Sequence, residues 1–142
     1  MSIIEAVRSF LLTCPYLENL ARINVDFLPE DTSTYSIESV PASTVISTNI
    51  DGSTTRQFLF VFASRMLYTD ELRNNIENSG FYEKFEGWLE EQTNKGVFPV
   101  LASGLTPVKI EAMSSGYLFD ISGDLTVARY QIQCRLTYEK EN

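Results

Sequence analysis

From Arg56 to Met66 the chain reads Arg-Gln-Phe-Leu-Phe-Val-Phe-Ala-Ser-Arg-Met. Side chains along a strand alternate between its faces, so Phe58, Phe60 and Phe62 point one way and Leu59, Val61 and Ala63 the other. Both faces are therefore apolar between Arg56 and Arg65. Such a strand is either covered on both sides by its own chain or covered on one side by another subunit. The segment from Thr44 to Ile50 and the turn Asp51-Gly52-Ser53 precede it, and together they read as a long hairpin. The Asp-Gly pair supplies the positive φ that a tight hairpin turn requires.

Elements of both periods flank this hairpin. Ile3, Ile4, Val7, Phe10 and Leu11 recur at helical spacing behind a Ser2-x-x-Glu5 capping box, and Pro15 ends that helix. Ile23 to Leu28 alternates as a half-buried strand, the cluster Pro29 to Thr34 reads as a turn, and Tyr35 to Val40 alternates again. These two strands are expected to pair as a hairpin or meander. Thr69 caps a short helix with Asp70 and Glu71 in its first turn, and Asn78-Ser79-Gly80 separates it from a longer one. The longer helix carries Phe81, Tyr82, Phe85, Trp88 and Leu89 on a core stripe and stops at Lys95-Gly96. The connection from Gly96 to Pro107 is rich in Gly and Pro, yet it holds Val97, Phe98, Val100, Leu101 and Leu105. Loops face water, so this one packs either on its own sheet or on a neighbouring chain.

The last third reads as a hairpin of Val108 to Ile121 and Leu125 to Tyr138 around Ser122-Gly123-Asp124. In its final strand Ala128, Tyr130, Ile132, Cys134, Leu136 and Tyr138 form the core face. Arg129, Gln131, Gln133 and Arg135 form a polar ladder on the other, which is a solvated face or a grip on an acidic neighbour. The order helix, four strands, two helices, two strands predicts one α+β domain over residues 1–142. Its sheet is antiparallel or mixed, has about six strands, and carries the helices on one face.

The chain has 142 residues, of which 44% are apolar, and this length buries a core without a disulfide or metal. It contains no histidine, which excludes Ser-His-Asp and Cys-His nucleophilic sites, imidazole zinc sites and acyl transfer through a His base. Phosphate cradles, the nucleophile elbow and the zincin motif are missing too. The carboxylate pairs Glu30-Asp31, Asp70-Glu71 and Glu90-Glu91 are explained by a turn, a helix dipole and a solvated helix face, and the twelve-residue calcium loop is not present. No cofactor or metal is expected. Nineteen acidic against eleven basic residues leave a net charge of −8, which argues against stable nucleic-acid binding and favours solubility. Cys14 and Cys134 show no ligand spacing. Cys134 reads as a small core side chain, with a disulfide as the alternative. No apolar stretch reaches membrane-span length, so no membrane association is expected and the protein is read as cytosolic.

Three stretches together resemble a known family: Asn49-Ile50-Asp51-Gly52-Ser53-Thr54-Thr55-Arg56-Gln57-Phe58, then Phe81-Tyr82-Glu83-Lys84-Phe85-Glu86-Gly87-Trp88-Leu89 through Gly96, and Ala128-Arg129-Tyr130-Gln131-Ile132-Gln133-Cys134-Arg135-Leu136. They are similar to small proteins of tailed phages and prophages of Gram-positive bacteria, often labelled minor capsid protein, which look like tail terminator or head-tail joining components. The resemblance implies a tail-terminator-like fold and a non-enzymatic subunit that assembles with itself into a ring, often a hexamer. Such a ring would dock to the tail tube and head connector, in the host cytoplasm during assembly and then in the virion. Candidate interface residues are Arg56, Phe58, Phe60, Phe62 and Arg65 of the long strand, Val97, Phe98, Leu101 and Leu105 of the apolar loop, and Arg129, Gln131, Gln133 and Arg135 of the ladder. Of these, Arg56, Arg65, Arg129 and Arg135 are expected to meet acidic patches on adjacent copies. The alternatives are a small-ligand domain or enzyme with a pocket between the sheet and the 80–95 helix, and a monomeric protein-binding adaptor.

Overall fold

The computed structural model describes residues 2–17, 22–29, 34–68, 72–124 and 126–142, and for residues 72–75 the backbone only. In chain order the elements are α1 (Ile3–Leu11), β1 (Ile23–Val25), β2 (Thr34–Ser39), β3 (Val45–Thr48), β4 (Thr54–Leu67), α2 (Leu72–Lys95), β5 (Leu105–Ala112), β6 (Tyr117–Ile121) and β7 (Val127–Lys140). They form an α+β fold with one mixed seven-stranded sheet, ordered β1-β2-β4-β7-β5, with β3 on β4 and β6 on β7.

The axis of the sheet is the antiparallel pair β4 and β7, each 14 residues long and in register from Thr54↔Lys140 to Leu67↔Val127. An interrupted strand runs along each outer side. β2 and then β3 follow β4, with the break around Pro41, and β5 and then β6 follow β7, with the break at Met113–Gly116. The second break departs from the expectation of one strand from Val108 to Ile121. Its cause is tertiary, because a Cβ on Gly116 would overlap the Tyr82 side chain. Ser114 Oγ accepts from Gln133 N and so bridges the gap in the ladder.

The hairpin at Asp51-Gly52 forms as expected. Gly52 sits at φ +89°, and the Asp51 carboxylate accepts from the Ser53 amide and hydroxyl. β1 and β2 form no hairpin, however. They are parallel neighbours, paired Ile23↔Tyr35 to Val25↔Ile37. Asp26 takes φ 53° and ends β1 before Phe27, and its carboxylate accepts from Ser39 N at 3.2 Å. Leu28 then packs on Val61 and Ala63, on the sheet face opposite the helices. The turn expected at residues 30–33 lies outside the described residues.

Both helices cover the other face. α1 starts as predicted, with the Ser2 hydroxyl accepting from Glu5 N, but ends at Leu11, ahead of Pro15, and it buries Val7, Phe10 and Leu11. α2 buries Tyr82, Phe85, Trp88 and Leu89 against Phe60, Phe62, Ile132 and Leu136. Each fully buried large apolar side chain here stabilises by about 1.5–3 kcal/mol. α2 is one helix of 24 residues rather than two, running straight through Asn78-Ser79-Gly80. Asn78 clips the helix to the sheet by donating to Leu67 O at 2.8 Å, and the buried stripe beyond it outweighs the weak helix propensity of the triplet. The expected cap Thr69 and acids Asp70 and Glu71 lie outside the described residues. Gly96, at φ +72°, ends α2 as expected.

Cys14 and Cys134 are free and buried, and burial pushes both thiols up, with Cys134 facing the core as read from the sequence. The Tyr82 hydroxyl, fully enclosed, shares a 2.6 Å hydrogen bond with Ser64 Oγ and donates to Tyr130 O at 3.0 Å. No helix among the described residues is long and apolar enough to cross a membrane.

Candidate interaction surfaces

The polar ladder of β7 lies on the helix-free face, where the long strands place Arg65 directly opposite Arg129. Two like charges in register repel, and Glu38 of β2 relieves this by reaching across β4. Arg129 donates to Glu38 at 2.9 Å and to Gln131 Oε1 at 3.0 Å, while its guanidinium lies 5.2 Å from the Phe119 ring centroid. Burial works to raise the Glu38 carboxyl, but hydrogen bonds from Arg129 and Ser36 and the charges of Arg129 and Arg65 hold it below its ordinary value. Gln131 is buried and donates to the Tyr117 hydroxyl at 2.6 Å. Arg135 pairs with Glu111 of β5 at 3.2 Å, and Gln133 is exposed.

Thus Arg129 and Arg135 already grip acids of their own chain, which the sequence left open because Glu38 and Glu111 are remote from them in sequence. Arg65 is half-buried, and among the described residues its Nε has no hydrogen-bond acceptor. It borders a polar cleft of about 430 Å³ with Asp120 and Asp124. Arg56 lies on the helix-covered face opposite Tyr138, and its Nε donates to Thr54 Oγ1 at 2.9 Å.

The doubly apolar strand does not present an apolar surface. Phe60 and Phe62 have no accessible area and belong to the core, so neither can serve as an interface residue in this fold. Phe58 is half-buried and stacks on Phe60 at 5.6 Å. On the other face Val61 and Ala63 are buried with Leu28, and Leu59 is half-buried. In the apolar loop Phe98, Leu101 and Leu105 pack on the main core, which resolves that alternative toward the chain's own fold. Val97 and Val100 stay outside, at 47% and 81% exposure. They form one wall of a groove of about 520 Å³, whose other walls are Ala6 and Phe10 of α1 and Trp88 of α2. Among the described residues, none that lines the groove is charged.

A second surface escaped the sequence reading. Every residue from Ser39 to Gly52 is exposed, and none between Glu38 and Asp51 is charged. This stretch is an arm containing β3 and the hairpin turn. It displays Val45 and Ile46 at about half exposure, while Ile50 is fully exposed. Its only sequence signal was the lack of charge, because alternation does not reveal what covers a strand.

Chemistry-bearing clusters are few. A polar cleft of about 330 Å³ lies between α2 and β5, where Glu86, Glu90 and Thr93 face Lys109 and Glu111. Among the described residues no group of His, Cys, Asp or Glu is arranged to hold a metal ion. Comparison with protein-family models and with curated protein sequences returned no match.

Proposed function

We propose that this chain is a structural subunit of tailed-phage morphogenesis, a tail terminator or head-tail joining protein that acts by ring assembly and by docking to tail tube and head connector. The observation that carries this reading is the arm from Ser39 to Gly52, a β extension whose every residue is exposed and which carries no charge before Asp51. The three stretches of family resemblance also fall on the elements that build the molecule: the turn and first half of β4, the core stripe of α2, and β7. Docking through side chains of the arm and groove requires no bond in a substrate to be made or broken.

Electron microscopy of the purified chain, alone and with tail tubes, tests the reading, and rings capping tube ends are the expected result. Because each copy carries a charge of −8, association is expected to strengthen as salt screens the repulsion. A flanking major tail protein gene and connector genes would support the same reading. Turnover of a small molecule traced to the cleft between α2 and β5 would favour the alternative of a ligand-binding domain or enzyme, for which that cleft is the supporting observation.

A further inference from the structure

We infer that the arm of one copy seats in the apolar groove between α1, α2 and the 97–100 loop of the next copy. The inference rests on the ring reading and names the two surfaces that would close such a ring. Bringing together copies that each carry −8 is opposed by their repulsion, so a self-contact favours surfaces without charge. Two such surfaces stand out. Among the described residues the groove lining carries no charge, and the arm has none from Ser39 to Ile50.

The two also match in character. The arm presents a fully exposed Ile50 beside its turn, with Val45 and Ile46 half-exposed behind it. The groove is concave, about 520 Å³, and floored by Phe10 and Trp88, with Val100 at 81% exposure on its wall. A knob and a hole at different places on one chain can be joined reciprocally about a two-fold axis or head to tail. The ring reading selects the head-to-tail form, a heterologous contact that closes into a ring when the rotation between copies permits and otherwise extends as a filament.

The test uses two variants at exposed positions, Ile50→Asp to disable the arm and Val100→Asp to disable the groove. Circular dichroism and the thermal midpoint first establish that both keep the fold. Sedimentation velocity is then run on wild type, each variant and their equimolar mixture, at low and raised sodium chloride. Wild type is expected to assemble beyond a dimer. Each variant alone is expected to be monomeric, its association constant reduced roughly a hundredfold or more by an uncompensated buried charge. The mixture is expected to stop at a dimer, since one intact arm then meets one intact groove. Variants that assemble like wild type, or a mixture that stays monomeric, would overturn the arm-to-groove contact and leave the ring reading standing. A wild-type chain that remains monomeric at every concentration and salt would overturn the arm-to-groove contact between free copies, and the ring reading would then stand or fall on the tail-tube experiment.

Discussion

Two interrupted strands border the long central pair, and they are finished in opposite ways. β5 is closed to further pairing. Thr93 of α2 takes both outward backbone groups of Ile110, accepting from its N at 3.2 Å and donating to its O at 2.7 Å. Pro107 and a register shift between Pro107 and Lys109 disturb the strand further, and Lys109 and Glu111 add charge. β3 has no proline and no charge, all four of its residues are exposed, and its register shifts between Val45 and Ser47. Exposed strand edges template unwanted pairing, so a chain that seals one border and leaves the other bare marks the bare one as a place for contact.

The strongest way to break this contrast is at Gly116, where β5 gives way to β6. Gly116→Ala drives a methyl into Tyr82 and is expected to cost about 3 kcal/mol, read from denaturant unfolding. Pro41→Ala, at the corresponding interruption between β2 and β3, is exposed and should change stability by less than about 0.5 kcal/mol.

Next comes the anchor at the root of the arm. Arg129→Ala leaves Glu38 in its part-buried position without its guanidinium, at an expected cost of about 2 kcal/mol. The Glu38 carboxyl titrates lower in the folded chain than in the unfolded one. The stabilisation from that shift is therefore complete above the ordinary glutamate range and is lost as pH falls through the lowered folded value. Acid titration of stability should lose that component in Arg129→Ala.

Smaller still, Thr93→Val removes both hydrogen bonds to Ile110 at about 1–1.5 kcal/mol, and the amide of Ile110 should exchange faster with solvent. The smallest expected effect on stability is at the bare border. Ile46→Lys should leave unfolding within about 0.5 kcal/mol of wild type while weakening self-association measured by light scattering. If Ile46→Lys unfolded the chain instead, the arm would be part of the core economy and the contrast between the borders would fail.

What the sequence made legible was local. Asp51-Gly52 specified its turn, Ser2 its cap, and the aromatic spacing of α2 its buried stripe, because each is decided within a few residues. Partners far along the chain were not legible. Nothing near Tyr35 says that β1 lies parallel to it, nothing near Gly116 names Tyr82, and the acids held by Arg129 and Arg135 lie in other strands. Asn78-Ser79-Gly80 misled for the same reason, since local composition argued for a break that distant packing overrode. At the candidate site, the polarity of the ladder and the apolar loop were readable, whereas the burial of Phe60 and Phe62 and the bareness of the arm depend on what α2 covers and what it leaves uncovered.

The Tyr82 hydroxyl has a consequence for how the chain finds its alignment. It bonds Ser64 of β4 and the carbonyl of Tyr130 of β7, which stand opposite each other on the same rung. A slip of one residue between the long strands would turn one strand's entire side-chain set onto the wrong face, and α2 would meet no matching pair of polar groups for its only fully enclosed phenol. Docking of the helix therefore proofreads the strand alignment, and a misaligned sheet is penalised at one atom in the middle of the core.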